Sequence, residues 1–246
     1  MNKAAPIIRA ITFDLDDTFW ENGPVMAITE PGHYQWLDEK IGHAEHFPLE
    51  EYQRRRMALA QRYPVRRGDF TWLRHQALTE MLLEFGLDHD QASRWADDTI
   101  EHMLTLRHDV SVFEEVPAML EGLRARGIRL GAITNGNVDL ERLTIAEHFD
   151  VIIKAGVALA PKPDARCFLS AMARLGATSP AQAVHVGDSW AEDALPAQRL
   201  GMHAAWIDAK NTGLPAGCLS GIHRLAHIRE LDEMLIDSGL LARESQ

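Results

Sequence analysis

Five short apolar runs punctuate the chain, each stopping on small or polar residues, and stretches with apolar residues at helical spacing separate them. The first run, Ile-Ile-Arg-Ala-Ile-Thr-Phe from position 7, predicts a strand over 8–13 that ends abruptly at Asp14, Asp16 and Asp17. Runs at 128–133, 151–153, 183–186 and 203–207 predict four more strands. Helical spacing predicts helices over 117–125, 140–148, 163–175, from the break at Gly187-Asp188 to 200, and over 228–235. Strands and helices alternating with crossovers of this length imply a parallel sheet covered by helices on both faces. In such sheets ligands bind beyond the carboxyl ends of the strands, where the first run places its carboxylates.

The segment from Trp20 to His108 has a different pattern: no β-branched run, and apolar residues such as Trp72, Leu78, Met81, Leu82 and Phe85 at helical spacing. It predicts a helical insert of about four helices, with breaks at Pro31-Gly32, Phe47-Pro48, Pro64 with Arg66-Arg67-Gly68, and Gly86. The expected organisation is a core made of residues 1–20 and 109–246, with residues 21–108 as a helical cap. A helical block inserted after an active-site strand would suit a lid. The plain alternative is a second structural domain.

Composition narrows the function. A formal net charge of -11 disfavours a sequence-independent grip on nucleic acid or on an anionic membrane, both of which need clustered Lys and Arg. Cys167 and Cys218 stand far apart, so neither a disulfide framework nor a zinc cluster is expected. The first nine residues are too short and too polar for a signal peptide, and no apolar run reaches membrane-spanning length. A cytoplasmic protein acting on a small molecule is the expectation.

Three carboxylates at one strand end repel one another unless a cation neutralises them, and oxygen-seeking Mg²⁺ is the simplest answer. An acidic turn stabilised by water and Thr18 is the plain alternative. Further polar groups stand beyond apolar strands or in loops: Thr134-Asn135, Lys162, and Asp188 with Asp193. Taken in order, Asp14-Leu-Asp-Asp-Thr18, Thr134, Lys162-Pro163 and Gly187-Asp-Ser-Trp-Ala-Glu-Asp193 resemble the four motifs of the haloacid dehalogenase superfamily. The resemblance spans residues 7–207 and implies an α/β fold, a Rossmann-like parallel five-stranded sheet core with an inserted α-helical cap.

The same resemblance implies site roles. Asp14 would be the nucleophile that accepts a phosphoryl group, and Asp16 the acid and base that protonates the leaving alcohol and then deprotonates water. The carboxylates of Asp14 and Asp188 and the main-chain carbonyl of Asp16 would hold Mg²⁺. Thr134 and the Asn135 backbone amide would bind the phosphoryl oxygens, Lys162 would supply positive charge, and Asp193 would support the acidic side or hold Lys162. In dehalogenase members the position two after the nucleophile is not a carboxylate, because a halide leaving group needs no proton; here it is Asp16. Phosphonate cleavage needs a cap lysine, and nothing marks Lys40, the one lysine in that stretch. A phosphomonoester hydrolase is therefore expected, with a phosphomutase or a non-catalytic phosphate-binding module as alternatives.

Finer features, Ala10-Ile-Thr-Phe-Asp-Leu-Asp-Asp-Thr, Ala132-Ile-Thr-Asn-Gly-Asn137, Lys154-Ala-Gly156 and His185-Val-Gly-Asp188, are similar to bacterial phosphatases acting on 5-amino-6-(5-phosphoribitylamino)uracil, which also hydrolyse FMN and other small phosphates. That likeness implies a role in riboflavin metabolism. If Trp20 faced the cavity it could stack on such a ring or crowd it. Arg66, Arg67 and Arg74 could reach a substrate, although helical arginines are more often solvated or paired. Trp190 is expected to pack beneath the acidic loop, and the tail after Leu240 to fray.

Overall fold

A computed structural model describes residues 8–157, 159–216 and 220–243. The first seven residues, Cys218 and the end of the tail, on which part of the sequence reading falls, lie outside these described residues. Strand β1 (Ala10–Phe13) leads into a block of four helices, α1 (Asn22–Ile41), α2 (Leu49–Arg62), α3 (Phe70–Glu84) and α4 (His89–Arg107). The alternating part follows as α5 (Val116–Ala125), β2 (Arg129–Thr134), β3 (Val151–Lys154), α6 (Ala165–Arg174), β4 (Ala183–Gly187), α7 (Leu195–Arg199), β5 (His203–Ile207), β6 (Ile222–Leu225) and α8 (Leu231–Asp237).

All strands are parallel, in the order β3-β2-β1-β4-β5-β6. The sheet has six strands where the sequence pattern indicates five. The missed strand, β6, is a short edge strand whose Ile-His-Arg-Leu lacks the continuous apolar run of a strand buried on both faces. β1 is central, with all four residues buried, and pairs with β2 on one side and β4 on the other. Crossovers leave in opposite directions from it, so the crevice beyond β1 is the topological switch point of the sheet.

Two more expectations are corrected. The pattern puts a break at Pro31-Gly32, but α1 runs through it. A Cβ at Gly32 would come within 2.9 Å of the Leu106 side chain, so the glycine permits close approach of α1 to α4. Residues 140–148 form two short 3₁₀ turns, Leu140–Arg142 and Thr144–His148, in place of one α-helix. Leu140 and Ile145 are buried there, which accounts for the helix-like spacing.

Apolar residues segregate into three clusters. One, built around Ile11, Phe13, Phe19, Leu120 and Leu130, covers one face of the sheet; a second, with Ile133, Cys167, Phe168 and Met172, covers the other. Phe13, Phe19 and Phe149 meet with centroids 5.1 to 6.3 Å apart. Truncating one such buried ring to Ala costs about 3–5 kcal/mol. The third cluster lies wholly within the four inserted helices, around Tyr34, Tyr52, Leu78, Met81 and Met103. Inside that block caps start two of the helices: Asp69 accepts from the Trp72 amide at 3.1 Å at the start of α3, and Asp88 with Gln91 forms a reciprocal capping box at the start of α4. Such caps contribute about 1 kcal/mol each. The block meets the sheet domain at Gly68, where a Cβ would lie 2.3 Å from Pro161, and at Gly156, where it would lie 2.4 Å from the Gly68 carbonyl oxygen.

Candidate active site

The site lies beyond the carboxyl ends of β1, β2 and β4, with the block of helices beside it. β1 carries the chain to Asp14, whose amide still donates to the Val186 carbonyl at 2.8 Å, so the side chain is fixed by the sheet. Asp17 then takes a left-handed backbone (φ 58°) and accepts from the Asn22 amide at 2.9 Å, turning the chain into α1. Asp points outward there, which suits a residue able to adopt that conformation.

Lys162 is 2% exposed, and its ammonium donates to Asp14 Oδ1 at 2.7 Å and to Asp193 Oδ1 at 2.6 Å. Burial opposes the charge on Lys162, but the two carboxylates outweigh it and hold the ammonium well above the usual lysine range. Asp193 also accepts from the Ser189 amide through Oδ2 at 3.0 Å and from His185 Nε2 through Oδ1 at 3.1 Å. Because a carboxylate can only accept, Nε2 of His185 carries its proton, and Nδ1 of the neutral ring accepts from the Thr12 hydroxyl at 2.8 Å. Burial keeps the His185 ring below its usual pKa, hence neutral. Burial works against the Asp193 carboxylate as well, but Lys162 and His185 outweigh it and hold it low. Gly187 makes room for this arrangement, since a Cβ there would lie 2.4 Å from Asp193 Cγ.

Asp188 is half-buried, and its carbonyl accepts from Trp206 Nε1 at 2.8 Å, which steadies the loop after β4. Burial first, and then the charges of Asp193 and Asp17, push its carboxyl up to about 7. Asp14 is raised too, by burial foremost and by Asp193 and Asp188, against the pull of Lys162. Asp14, Asp188 and Asp193 each place an oxygen within 4.8 Å of the others. Three carboxylates share one lysine, and this all-oxygen donor set could hold a hard divalent cation. Asp193 has both oxygens engaged by protein donors, so Asp14 and Asp188 are the freer ligands.

Loop 134–137 forms the opposite wall. Thr134 Oγ1 accepts from the Gly136 amide at 2.8 Å, which fixes the hydroxyl and leaves its proton available. The Asn135 side chain accepts from the Lys162 amide at 2.8 Å and donates to the Lys162 carbonyl at 3.1 Å, locking the two loops together. Asp16 reaches over this wall. A Cβ at Gly136 would lie 2.4 Å from Asp16 Oδ2 and 3.1 Å from Thr134 Oγ1, so that carboxylate oxygen faces the threonine loop.

The structure therefore brings together Asp14, Thr134, Asn135, Lys162, Asp188 and Asp193, with Asp16 at the rim. Arg107, which donates to both oxygens of Asp16 at 2.5 and 2.6 Å, carries no sequence signal, and Thr12 and His185, which extend the network behind Asp193, stand inside the family-like runs with no role that the sequence assigns them. Trp20 is fully buried and donates from Nε1 to Asp16 Oδ1 at 2.9 Å, so it is not a wall on which a ring can stack. Arg74 is buried against Glu30, and Arg66 pairs with Asp69 over the Trp72 ring; neither is part of the acidic site. Exposed Lys40 lies over Trp36 at the end of α1. Trp190 packs edge-on against Trp206, with centroids 5.0 Å apart, beside the acidic loop.

A central parallel strand ending on a carboxylate that is held by a buried lysine, at the switch point of the sheet, defines a hydrolase-type α/β site. Residues 8–201 match the family model described as haloacid dehalogenase-like hydrolase, and the chain belongs to that family. It is 31% identical over 207 residues to the 5-amino-6-(5-phospho-D-ribitylamino)uracil phosphatase YigB of Escherichia coli K12, covering 84% of this chain and 86% of that one. Among solved structures it is similar to a 2-haloacid dehalogenase from Pseudomonas syringae pv. Tomato DC3000, with a TM-score of 0.87 and 34% identity over 94% of this chain and 99% of that one. A HAD phosphatase from Thermococcus onnurineus aligns with a TM-score of 0.65 and 25% identity, over 93% and 98%. Among the described residues no helix is long and apolar enough to cross a membrane.

Proposed function

We propose that this chain is a Mg²⁺-dependent phosphomonoester hydrolase that works through an aspartyl phosphate on Asp14, with the four inserted helices as its cap. The named relatives point two ways, to a phosphatase and to a dehalogenase. The observation that carries the choice is Asp16, a carboxylate two residues beyond the nucleophile with one oxygen facing the Thr134 loop. Phosphoester cleavage expels an alkoxide that needs a proton, whereas a halide needs none.

The Asp14 oxygen attacks phosphorus in line with the leaving oxygen, while Lys162 holds the carboxylate in place and offsets incoming charge. The Thr134 hydroxyl and the Asn135 amide bind the equatorial phosphoryl oxygens. Asp16 protonates the leaving oxygen, then takes a proton from the water that releases phosphate from Asp14. The carboxylates of Asp14 and Asp188, with the Asp16 carbonyl, would hold Mg²⁺. When bound, it supplies positive charge that lets a phosphate dianion approach a carboxylate.

The leaving group would enter a cavity of about 200 Å³ between residues 68–71 and 135–139, lined by polar groups including Asp69, Thr71, His108, Asn137 and Lys154. This suits a hydroxylated chain better than a tricyclic ring, since small-molecule pockets usually run to about 300–1,000 Å³. A ribityl phosphate, as in the substrate named for the Escherichia coli relative, fits the proposal best, with FMN requiring a more open cap. A cap that excluded water and returned the phosphoryl group would instead make a mutase.

The test is release of phosphate from the ribitylaminouracil phosphate, FMN, nucleotides and sugar phosphates, with Mg²⁺ or EDTA, beside halide release from 2-chloropropionate. Phosphate release that needs Mg²⁺ and disappears in Asp14→Asn supports the proposal, with the ribitylaminouracil phosphate ranking first in kcat/KM. Halide release without phosphate release rejects it. Turnover only when a sugar bisphosphate is added would point to the mutase.

A further inference from the structure

We infer that Arg107, the last residue of α4, is a positioning residue for the acid and base Asp16, so that leaving-group protonation depends on a side chain supplied by the inserted helices. The inference rests on the phosphatase reading and adds to it a residue 91 positions away from Asp16 in sequence.

Arg107 is 2% exposed. Its Nη2 donates to Asp16 Oδ1 at 2.5 Å and to Oδ2 at 2.6 Å, and its Nε donates to Asn137 Oδ1 at 3.2 Å. One guanidinium thus ties together the end of α4, the loop after β1 and the loop after β2. Its Nη1 is buried with no partner among the described residues. A planar fork imposes orientation in a way that a lysine ammonium does not.

The two oxygens of Asp16 end up unequal. Oδ1 accepts from both Trp20 Nε1 and Arg107 Nη2, whereas Oδ2 accepts from Arg107 alone and faces Gly136 and Thr134. Oδ2 is therefore the oxygen that exchanges the proton, and it is the one aimed at the phosphoryl side. In the forward half-reaction the Asp14–phosphorus bond forms and the bond from phosphorus to the leaving oxygen breaks, as the proton on Asp16 passes to that oxygen. In the second half, water adds to phosphorus, its proton returns to Asp16, and the bond to Asp14 breaks. Without Arg107 the carboxyl group is held only at Oδ1, by Trp20, and is free to turn Oδ2 away from the leaving oxygen.

The readout is the dependence of the defect on the leaving group. The Mg²⁺-loaded full chain, Arg107→Lys and Arg107→Gln are compared on an alkyl phosphate, whose leaving oxygen needs a proton, and on p-nitrophenyl phosphate, whose leaving group departs as the anion. General acid catalysis contributes about 10²–10⁴-fold, so kcat/KM, which reports formation of the aspartyl phosphate, should fall about 100-fold for the alkyl phosphate and stay within about 5-fold for the aryl phosphate, while the later hydrolysis step slows equally for both. Asn137→Ala, at a half-exposed position that removes the partner of Arg107 Nε, keeps the test available if both arginine variants fail to melt cooperatively. Because Asn137 also lines the leaving-group cavity, it is read on methyl phosphate, whose leaving group is too small to fill that cavity, and should show the same selectivity in kcat/KM, with about a 10-fold loss on the alkyl ester. Equal losses in kcat/KM on both esters, or none on either, would overturn the inference while leaving the phosphatase reading intact. A wild-type chain that releases phosphate from neither ester would remove both.

Discussion

The Lys162 ammonium lies 2.7 Å from Asp14 Oδ1 and 2.6 Å from Asp193 Oδ1, with all three side chains buried. One cation holds two carboxylates that would otherwise repel each other. Lys162→Met should therefore damage both function and fold. Breaking a buried pair by removing one partner costs about 3–5 kcal/mol, to be read as a lower urea midpoint at unchanged m-value. Phosphate release should become undetectable, and Mg²⁺ should restore part of the stability by supplying the missing charge.

Trp20 and Asp16 are joined by a single, partly buried hydrogen bond of 2.9 Å. Trp20→Phe keeps most of the apolar volume and removes the donor. A hydrogen bond to a charged group is worth about 1.5–3 kcal/mol. On the proposed reading, kcat for an alkyl phosphate should fall roughly 10-fold with KM nearly constant, since 1.4 kcal/mol corresponds to a factor of ten. Steady-state kinetics on the purified variant checks this.

Most of this site was legible because its residues sit at the ends of apolar runs. Asp14 and Asp188 follow β1 and β4 directly and Thr134 closes β2, and an abrupt change from apolar to polar is a local signal. Lys162 and Asp193 came from their order along the chain, since a lone lysine before proline carries no local mark. Arg107 was invisible: it closes the basic last turn of a helix, a place where most arginines are solvated, and its partner lies far back in sequence. β6 escaped because an edge strand needs no apolar alternation on both faces. Pro31 misled because its breaking tendency was outweighed by the packing of Gly32 on Leu106, a tertiary contact that local propensity does not contain.

Gly156 has φ 90°, and a Cβ on it would lie 2.4 Å from the Gly68 carbonyl oxygen. Gly156→Ala should thus push residues 68–69 off the sheet domain and strain the backbone, costing about 1–3 kcal/mol. On the proposed reading kcat/KM for a ribityl phosphate should drop with it. Gly122→Ala is the control: it lies exposed in α5 with nothing within 4 Å of the added Cβ, and should gain about 0.5–1 kcal/mol. Paired thermal melts and kinetics separate the two.

Acid should destabilise the block of helices through His33. Its Nδ1 donates to the Thr29 carbonyl at 2.6 Å and its Nε2 accepts from the Tyr52 hydroxyl at 3.3 Å, so the ring is neutral. Burial lowers its pKa to about 4; the Thr29 bond and Glu30 oppose this, and Arg74 and Arg56 add to it. An unfolded chain, with a histidine pKa near 6.5, binds more protons between those values. The contribution is therefore complete above about pH 6.5 and is lost as pH falls through about 4, amounting to roughly 3 kcal/mol at most. Denaturant midpoints from pH 7 to 4 should fall, and His33→Gln should flatten that slope.

The covalent step on Asp14 is tested most directly in Asp16→Asn. With p-nitrophenyl phosphate and Mg²⁺, the first step needs no acid, whereas hydrolysis of the aspartyl phosphate lacks its base. The account requires a stoichiometric burst of nitrophenolate followed by slow turnover, with tritiated borohydride, added after acid quench, displacing the phosphate and leaving its label on Asp14 as homoserine. A burst of the same size with no label on Asp14, or with label on another residue, would contradict it.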